Sequence, residues 1–192
     1  MKDRKSNFVQ QTHFIGVLAG DDITLALEDC RRYMNEAYGC KSGHATQIHV
    51  TLVPPFFLPG EYSSDDLAKA IEEIVIPKKL FFTAHVDNFD AFGDRTLFAK
   101  VLPDEKWTTL RNSVYSAVAK AAPCCVKKDT RPFHPHLTVA NRDIPEGAMT
   151  DALSSLNELS LSEDFPVDNI TIFERVNGKW KAAISLELKE QA

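Results

Sequence analysis

A histidine, one spacer, a threonine and an apolar residue occur twice in this chain, as His49-Val50-Thr51-Leu52 and as His136-Leu137-Thr138-Val139. Apolar residues flank the polar ones at alternate positions, the period of a β-strand with one buried face. The pattern predicts His49, Thr51 and Val53 on one face of the first strand, with Ile48, Val50 and Leu52 turned into a core. The second stretch repeats the arrangement. An imidazole that exchanges a proton near neutral pH, beside a hydroxyl donor, suits an anionic oxygen. Two such pairs across one cleft would put a base and an acid on either side of a phosphoester.

The chain reads as two similar halves. In the first, Thr12 to Ala19 is a short apolar run, a buried strand, and Gly20-Asp21-Asp22 opens a helix. Ile23, Leu27, Cys30, Met34 and Ala37 form its apolar stripe, and Gly39 closes it. After the first motif, Pro54-Pro55 is expected to end the strand, because neither residue can donate to a ladder, and to begin a loop through Phe57 and Gly60. Ser63 or Ser64 caps a helix carrying Leu67, Ile71 and Ile74, and Pro77 stops it. Leu80 to Phe92 and Thr96 to Leu102 read as strands joined at Gly93-Asp94. Pro103-Asp104 opens a helix with Trp107, Leu110, Val114, Ala117 and Ala121 on one stripe.

The second motif is followed by the same order. A helical stretch holds Met149, Leu153 and Leu156, and two strands then meet at Asn177-Gly178, a type I′ hairpin signal. A duplicated strand-helix-hairpin predicts an α+β fold, bilobal, with antiparallel sheets around a central cleft. No linker rich in Gly, Ser or Pro separates the halves. Residues 1–192 are therefore read as a single domain of two pseudo-symmetric lobes, with a polar N-terminal tail over about residues 1–11.

Composition narrows the partners. With 192 residues, 44% of them hydrophobic, the chain can bury a proper core. No apolar run is long enough to span a membrane, and the polar start lacks a signal peptide's apolar region, so the expectation is a cytoplasmic protein without a membrane partner. Cys30, Cys40, Cys124 and Cys125 contain no C-x-x-C pair and read as reduced thiols. A net charge of −5 argues against coating long nucleic acid through a broad basic face, and leaves a small phosphate ester or an RNA end. Lys78-Lys79 and the run Lys127, Lys128 and Arg131 are local basic stretches that read first as solvated surface.

These residues carry a family resemblance. The paired motifs, across nearly the whole chain, resemble the two-histidine (2H) phosphoesterase superfamily, which includes RNA 2′-5′ ligases and 2′,3′-cyclic phosphodiesterases. The resemblance implies a bilobal fold with a central cleft, no metal or other cofactor, and action on cyclic phosphates or phosphodiesters at RNA or nucleotide ends. It implies His49 and His136 as the acid/base pair and Thr51 and Thr138 as phosphate-binding hydroxyls. Pro54-Pro55-Phe56 looks like a bacterial 2′-5′ RNA ligase-like branch. Many members show Ala-Arg after the second motif; here Ala140-Asn141-Arg142 displaces the arginine by one residue.

Other readings compete. His134-Pro135-His136 puts two histidines on one strand face, and His49 or His44 could complete a zinc site, although each motif offers threonine where a third ligand belongs. His134 otherwise reads as a rim residue, and His13, His44 and His85 as structural or surface groups. Phe56 and Phe57 could stack on a base, and Lys41, Arg95 and Arg131 could touch phosphate. The rival from a different class is a non-catalytic module that grips a nucleotide or RNA end in the same cleft. A monomer is the expected state.

Overall fold

The structure is a computed structural model that describes residues 10–43, 45–127 and 129–188. His44 and Lys128, named above, lie outside the described residues, as does most of the polar tail. The elements in chain order are β1 (His13–Leu18), α1 (Asp21–Tyr38), β2 (His49–Phe56), α2 (Ser64–Ile74), β3 (Phe82–Phe92), β4 (Thr96–Val101), α3 (Glu105–Ala121), β5 (His136–Asn141), α4 (Met149–Asn157), β6 (Ser162–Val167), β7 (Asn169–Val176) and β8 (Lys179–Glu187).

Local chemistry fixes the helix ends. Asp21 and Asp22 sit in the first turn of α1, where carboxylates meet the positive end of the helix dipole. Gly39, at φ 73°, turns the chain left-handed at its end and donates to the Asn35 and Met34 carbonyls. Of the two serines before α2, Ser63 is the cap: it accepts from the Asp66 N–H while the Asp66 carboxylate accepts from the Ser63 N–H. One turn of 3-10 helix carrying Pro77 then ends the segment. Asp104 caps α3 by accepting from the Lys106 N–H at 2.7 Å.

The eight strands form one antiparallel sheet in the order β6-β3-β4-β5-β2-β1-β7-β8. Its middle is thin, because β2 and β5 share only the rung Val50–Leu137. On either side stands a four-stranded half, β5-β4-β3-β6 and β2-β1-β7-β8, so the duplicated α+β architecture expected from the sequence is present. Each half takes strands from both ends of the chain: the β3-β4 hairpin that follows the first motif pairs with the second motif strand, and β7-β8 pairs with β1 beside the first. The helices cross over too, with α1 against β5 and α3 against β2. One hydrophobic cluster, including Leu27, Leu52, Trp107, Leu137 and Phe165, runs beneath both halves.

Three details differ from the sequence reading. Val53 is buried, not on the histidine face. Gly16 pairs with Thr51 but Ile15 pairs with Val53, so an extra residue bulges β2 after Thr51 and flips the alternation. The same device recurs on β5, where Phe98 pairs with Thr138 but Leu97 with Ala140. Second, β2 runs through Pro54 and Pro55 to Phe56. Beyond Val50 its edge toward β5 carries no ladder, so the missing N–H groups leave nothing unpaired. Third, the sequence reading has no strand between α4 and β7: β6 pairs only with β3, its first three residues are exposed, and only Phe165 and Val167, either side of Pro166, are buried.

Candidate functional site

With the helices on one side of the sheet, the other face holds the polar residues of the two motifs. Val50 and Leu137 are opposite one another with fully buried side chains. Moving one residue each way along these antiparallel strands sets His49 across from Thr138 and Thr51 across from His136. All four point away from the core. The two histidines are diagonal neighbours of this square, a separation of about 7–8 Å between cross-strand positions of that kind. Repulsion between the two imidazoles is among the influences on His49.

Both rings are held alike. His49 Nδ1 lies 2.7 Å from the Gln47 carbonyl oxygen and His136 Nδ1 lies 2.8 Å from that of His134. A carbonyl only accepts, so Nδ1 carries the proton in each ring and Nε2 is the nitrogen left to exchange one. Among the described residues no hydrogen bond engages either Nε2 or the hydroxyls of Thr51 and Thr138. Each imidazole also rests on two phenyl rings from corresponding strands. Phe14 and Phe173 lie 4.8 Å and 5.2 Å from His49, whereas Phe98 and Phe92 each lie 5.1 Å from His136.

The two environments differ in water. Phe14 and Phe173 are stacked on each other at 4.2 Å and closed over by the edge of Trp180. Phe92, at the tip of the β3-β4 hairpin, is 43% exposed. Burial holds the His49 pKa down to about 4, against the Gln47 hydrogen bond that favours the charged form; the Arg31 guanidinium and His136 depress it further. Burial also lowers His136, opposed by its bond to the His134 carbonyl and helped by the His134 ring.

Three contributors escaped the sequence reading. Arg31, on α1, is buried and donates to the Thr46 carbonyl at 2.7 Å and the Thr138 carbonyl at 3.1 Å. It thereby ties the segment leading into β2 to β5. Burial pushes its pKa down to about 10, so it stays charged at neutral pH. Arg111, on α3, is buried against the Phe133 ring at 4.9 Å and meets Asp129 at 3.1 Å. Gly16, across from Thr51, leaves the room that His49 needs: a Cβ there would sit 2.7 Å from the Val50 carbonyl oxygen and 3.3 Å from His49 Cδ2. A signal existed for the arginines, since Arg31 falls in step with Leu27 and Met34 and Arg111 with Trp107 and Val114, on apolar stripes.

A cavity of about 520 Å³ opens beside Thr51 and His136, bounded also by Phe92, His134, Arg111 and Arg131. His134 is therefore at the rim. Of the two phenylalanines after the prolines, Phe56 is buried and only Phe57 is exposed. Lys41 and Arg95 are exposed and do not line this cavity. Arg142 lies past the end of β5 with a left-handed backbone, φ 74°, and an exposed side chain. His13 contacts Glu174 at 3.6 Å and His85 contacts Asp164 at 2.6 Å, both away from the motifs. Among the described residues no group of three His, Cys, Asp or Glu side chains could hold a metal. All four cysteines are free thiols, and no described helix is long and apolar enough to cross a membrane.

Comparison with known proteins bears on the family and the fold. The family described as the 2′-5′ RNA ligase superfamily matches residues 20–179. Among solved structures, LigT of E. coli complexed with 3′-AMP is 19% identical, with 94% of this chain and 99% of that one covered at a TM-score of 0.58. TT0787 of Thermus thermophilus is 19% identical over 92% and 97%, at 0.63. The ns2 PDE domain of MHV is 16% identical over 86% and 99%, at 0.57. At such identities these neighbours speak for the fold. No curated protein matches the sequence.

Proposed function

Because this chain belongs to the 2′-5′ RNA ligase superfamily, and so to the two-histidine phosphoesterases, we propose that it opens 2′,3′-cyclic phosphates, or cleaves 2′-5′ phosphodiesters, at RNA or nucleotide ends. In this reading His49 and His136 act as base and acid, without a metal. The observation that carries the proposal is the register of β2 and β5, which sets two imidazoles and two unengaged hydroxyls, all half-buried, on the face turned away from the core. The complex of the E. coli neighbour with 3′-AMP supports a ligand of nucleotide size.

The reaction needs a proton taken from water, a proton given to the departing ribose oxygen, and donors for the phosphoryl oxygens. His49, kept neutral by its apolar surroundings, accepts the water proton at Nε2 as the oxygen attacks phosphorus. The bond from phosphorus to the ribose oxygen breaks, and His136 delivers its Nε2 proton to that oxygen. A bound phosphate anion favours the protonated form of a nearby imidazole, and the more open His136 gains that proton more readily than His49. Thr51 and Thr138 donate to the non-bridging oxygens. Run backwards, with a ribose hydroxyl in place of water, the same groups would join two ends.

Purified protein assayed on nucleoside 2′,3′-cyclic phosphates with EDTA present tests the proposal. His49→Ala and His136→Ala are each expected to lower kcat by about 10²- to 10⁴-fold, the usual worth of a positioned proton transfer. Turnover that survives both substitutions refutes the assignment. Saturable nucleotide binding with no product would instead identify a binding module.

A further inference from the structure

The cavity beside His136 continues. Past Pro54, Asp129 and Arg131 it opens into a second hollow of about 730 Å³, bounded further along by Phe57, Tyr62, Cys125 and Lys127. Each space alone falls within the roughly 300–1,000 Å³ of a small-molecule site, so the two in series exceed what one nucleoside needs.

The charge along this path opposes that of the molecule. In a chain of net charge −5, the groove carries the cations Arg111, Lys127 and Arg131 against the carboxylates Asp129 and Glu61. Asp129 is shared: Arg111 Nη2 lies 3.1 Å and Arg131 Nη2 2.7 Å from the same carboxylate oxygen, and Arg131 Nε donates to the other oxygen at 2.9 Å. One carboxylate thus balances one of two guanidiniums, and the Arg131 hydrogen bonds hold its acid well below the usual carboxylate range. Arg111 is additionally left with a buried Nε that has no partner. The Arg131 side chain is 83% exposed, and among the described residues its Nη1 is unoccupied. Phe57, on the far side of the prolines, is 44% exposed and lines the same groove.

We infer, resting on the function proposed above, that this groove receives the next unit of a polynucleotide. The 5′-phosphodiester of the terminal nucleotide lies on Arg131 and Lys127, and the neighbouring base stacks on Phe57. The substrate class is accordingly an oligonucleotide end and not a free mononucleotide. With Nε and Nη2 of Arg131 on Asp129, its Nη1 remains to give a phosphate oxygen a charge-assisted hydrogen bond, and a phenyl face accepts any base. Both stand on the path leading away from the face where the reactive phosphorus would sit.

Three substrates separate these contributions: adenosine 2′,3′-cyclic phosphate, the same compound with a 5′-phosphate, and the dinucleotide ApA ending in a 2′,3′-cyclic phosphate. The 5′-phosphate is expected to raise kcat/KM on the order of tenfold through charge-assisted hydrogen bonds, and the second base by about tenfold more through stacking. Arg131→Gln should bring the first ratio toward one, and Phe57→Ala the second. Equal kcat/KM for all three substrates overturns the subsite and leaves the phosphoesterase reading standing. If none is turned over, and the 2′-5′ dinucleotide of adenosine is not cleaved either, that reading fails, and binding decides the inference alone. Fluorescence anisotropy with a labelled RNA oligonucleotide ending in a 3′-phosphate should then show weaker binding, and a shallower salt dependence by about 0.7 per lost contact, in Arg131→Gln and Lys127→Gln. Unchanged affinity and slope overturn it. Both residues are exposed, and thermal melting of each variant checks that the fold is intact.

Discussion

Replacing Gly16 by alanine is a one-carbon change with two readable consequences. The added Cβ would lie 2.7 Å from the Val50 carbonyl oxygen and 3.3 Å from His49 Cδ2. The first neighbour is backbone in the centre of the sheet and cannot rotate away, so β1 and β2 must part by a substantial fraction of an ångström. Overpacking of this kind costs about 1–3 kcal/mol. For a domain of this size each kcal/mol moves Tm by about 2–4 °C, so a drop of about 2–12 °C is expected. The second neighbour is the imidazole, whose displacement loosens the 2.7 Å contact between Nδ1 and the Gln47 carbonyl. Activity on a cyclic phosphate should therefore fall further than stability alone accounts for at 25 °C, where the variant stays folded. Gly60→Ala is the control, because a Cβ there meets nothing within 4 Å and needs no left-handed backbone. Gly16→Ala with the Tm and kcat/KM of the Gly60→Ala control would refute the account of why β1 carries a glycine.

Other outcomes follow from the same geometry. His49 must be neutral to act as base and its pKa is held near 4, while His136 must be protonated to act as acid and is held below its ordinary 6.5. The profile of kcat/KM should therefore fall below about pH 4 as His49 gains a proton, and fall again as pH rises through a value under 6.5. A profile flat from pH 6 to 9 would remove His136 from the acid's role. Arg31→Met leaves the Thr46 and Thr138 carbonyls without their donor, at a cost of about 1–3 kcal/mol for each buried group left unpaired. It also withdraws a positive charge, so NMR titration should show the His49 pKa rising, and Arg31→Lys should restore part of the shift. A His49 titration that does not move would show that the guanidinium is only a strut.

How much of this was legible beforehand depended on whether a residue's signal was local. The motif histidines, the stripe of α1 and the Asn177-Gly178 hairpin all state their case within a few positions. The last has both central residues at positive φ, 51° and 78°, as its dipeptide implies. Val53 faces the core because a bulge resets the alternation, and Pro54 and Pro55 stay in the strand because β5 does not pair beyond Val50; only the partner strands reveal either. β6 gives little local signal because only Phe165 and Val167, at its end, are buried, and its one neighbour is β3, remote in the chain. Arg31 and Arg111 fall in step with apolar stripes, which marks them as inward, but the carbonyls or carboxylate they reach lie elsewhere in the chain and show only in the fold. The unequal wetting of the two histidines is likewise a property of rings from four different strands.

The exchange of hairpins between the two halves of the sheet also bears on how such a molecule can be divided. A fragment ending in the turn between β3 and β4 owns His49 and Thr51 but lacks β7, whose Phe173 backs that histidine. The remainder owns His136 and Thr138 but lacks β3 and, with it, Phe92. Each piece thus holds one imidazole and one of the two rings that line the other's. Co-expressed as separate polypeptides, the two would have to embrace before either could present a working face, and neither alone could serve as a smaller, simpler version of the whole.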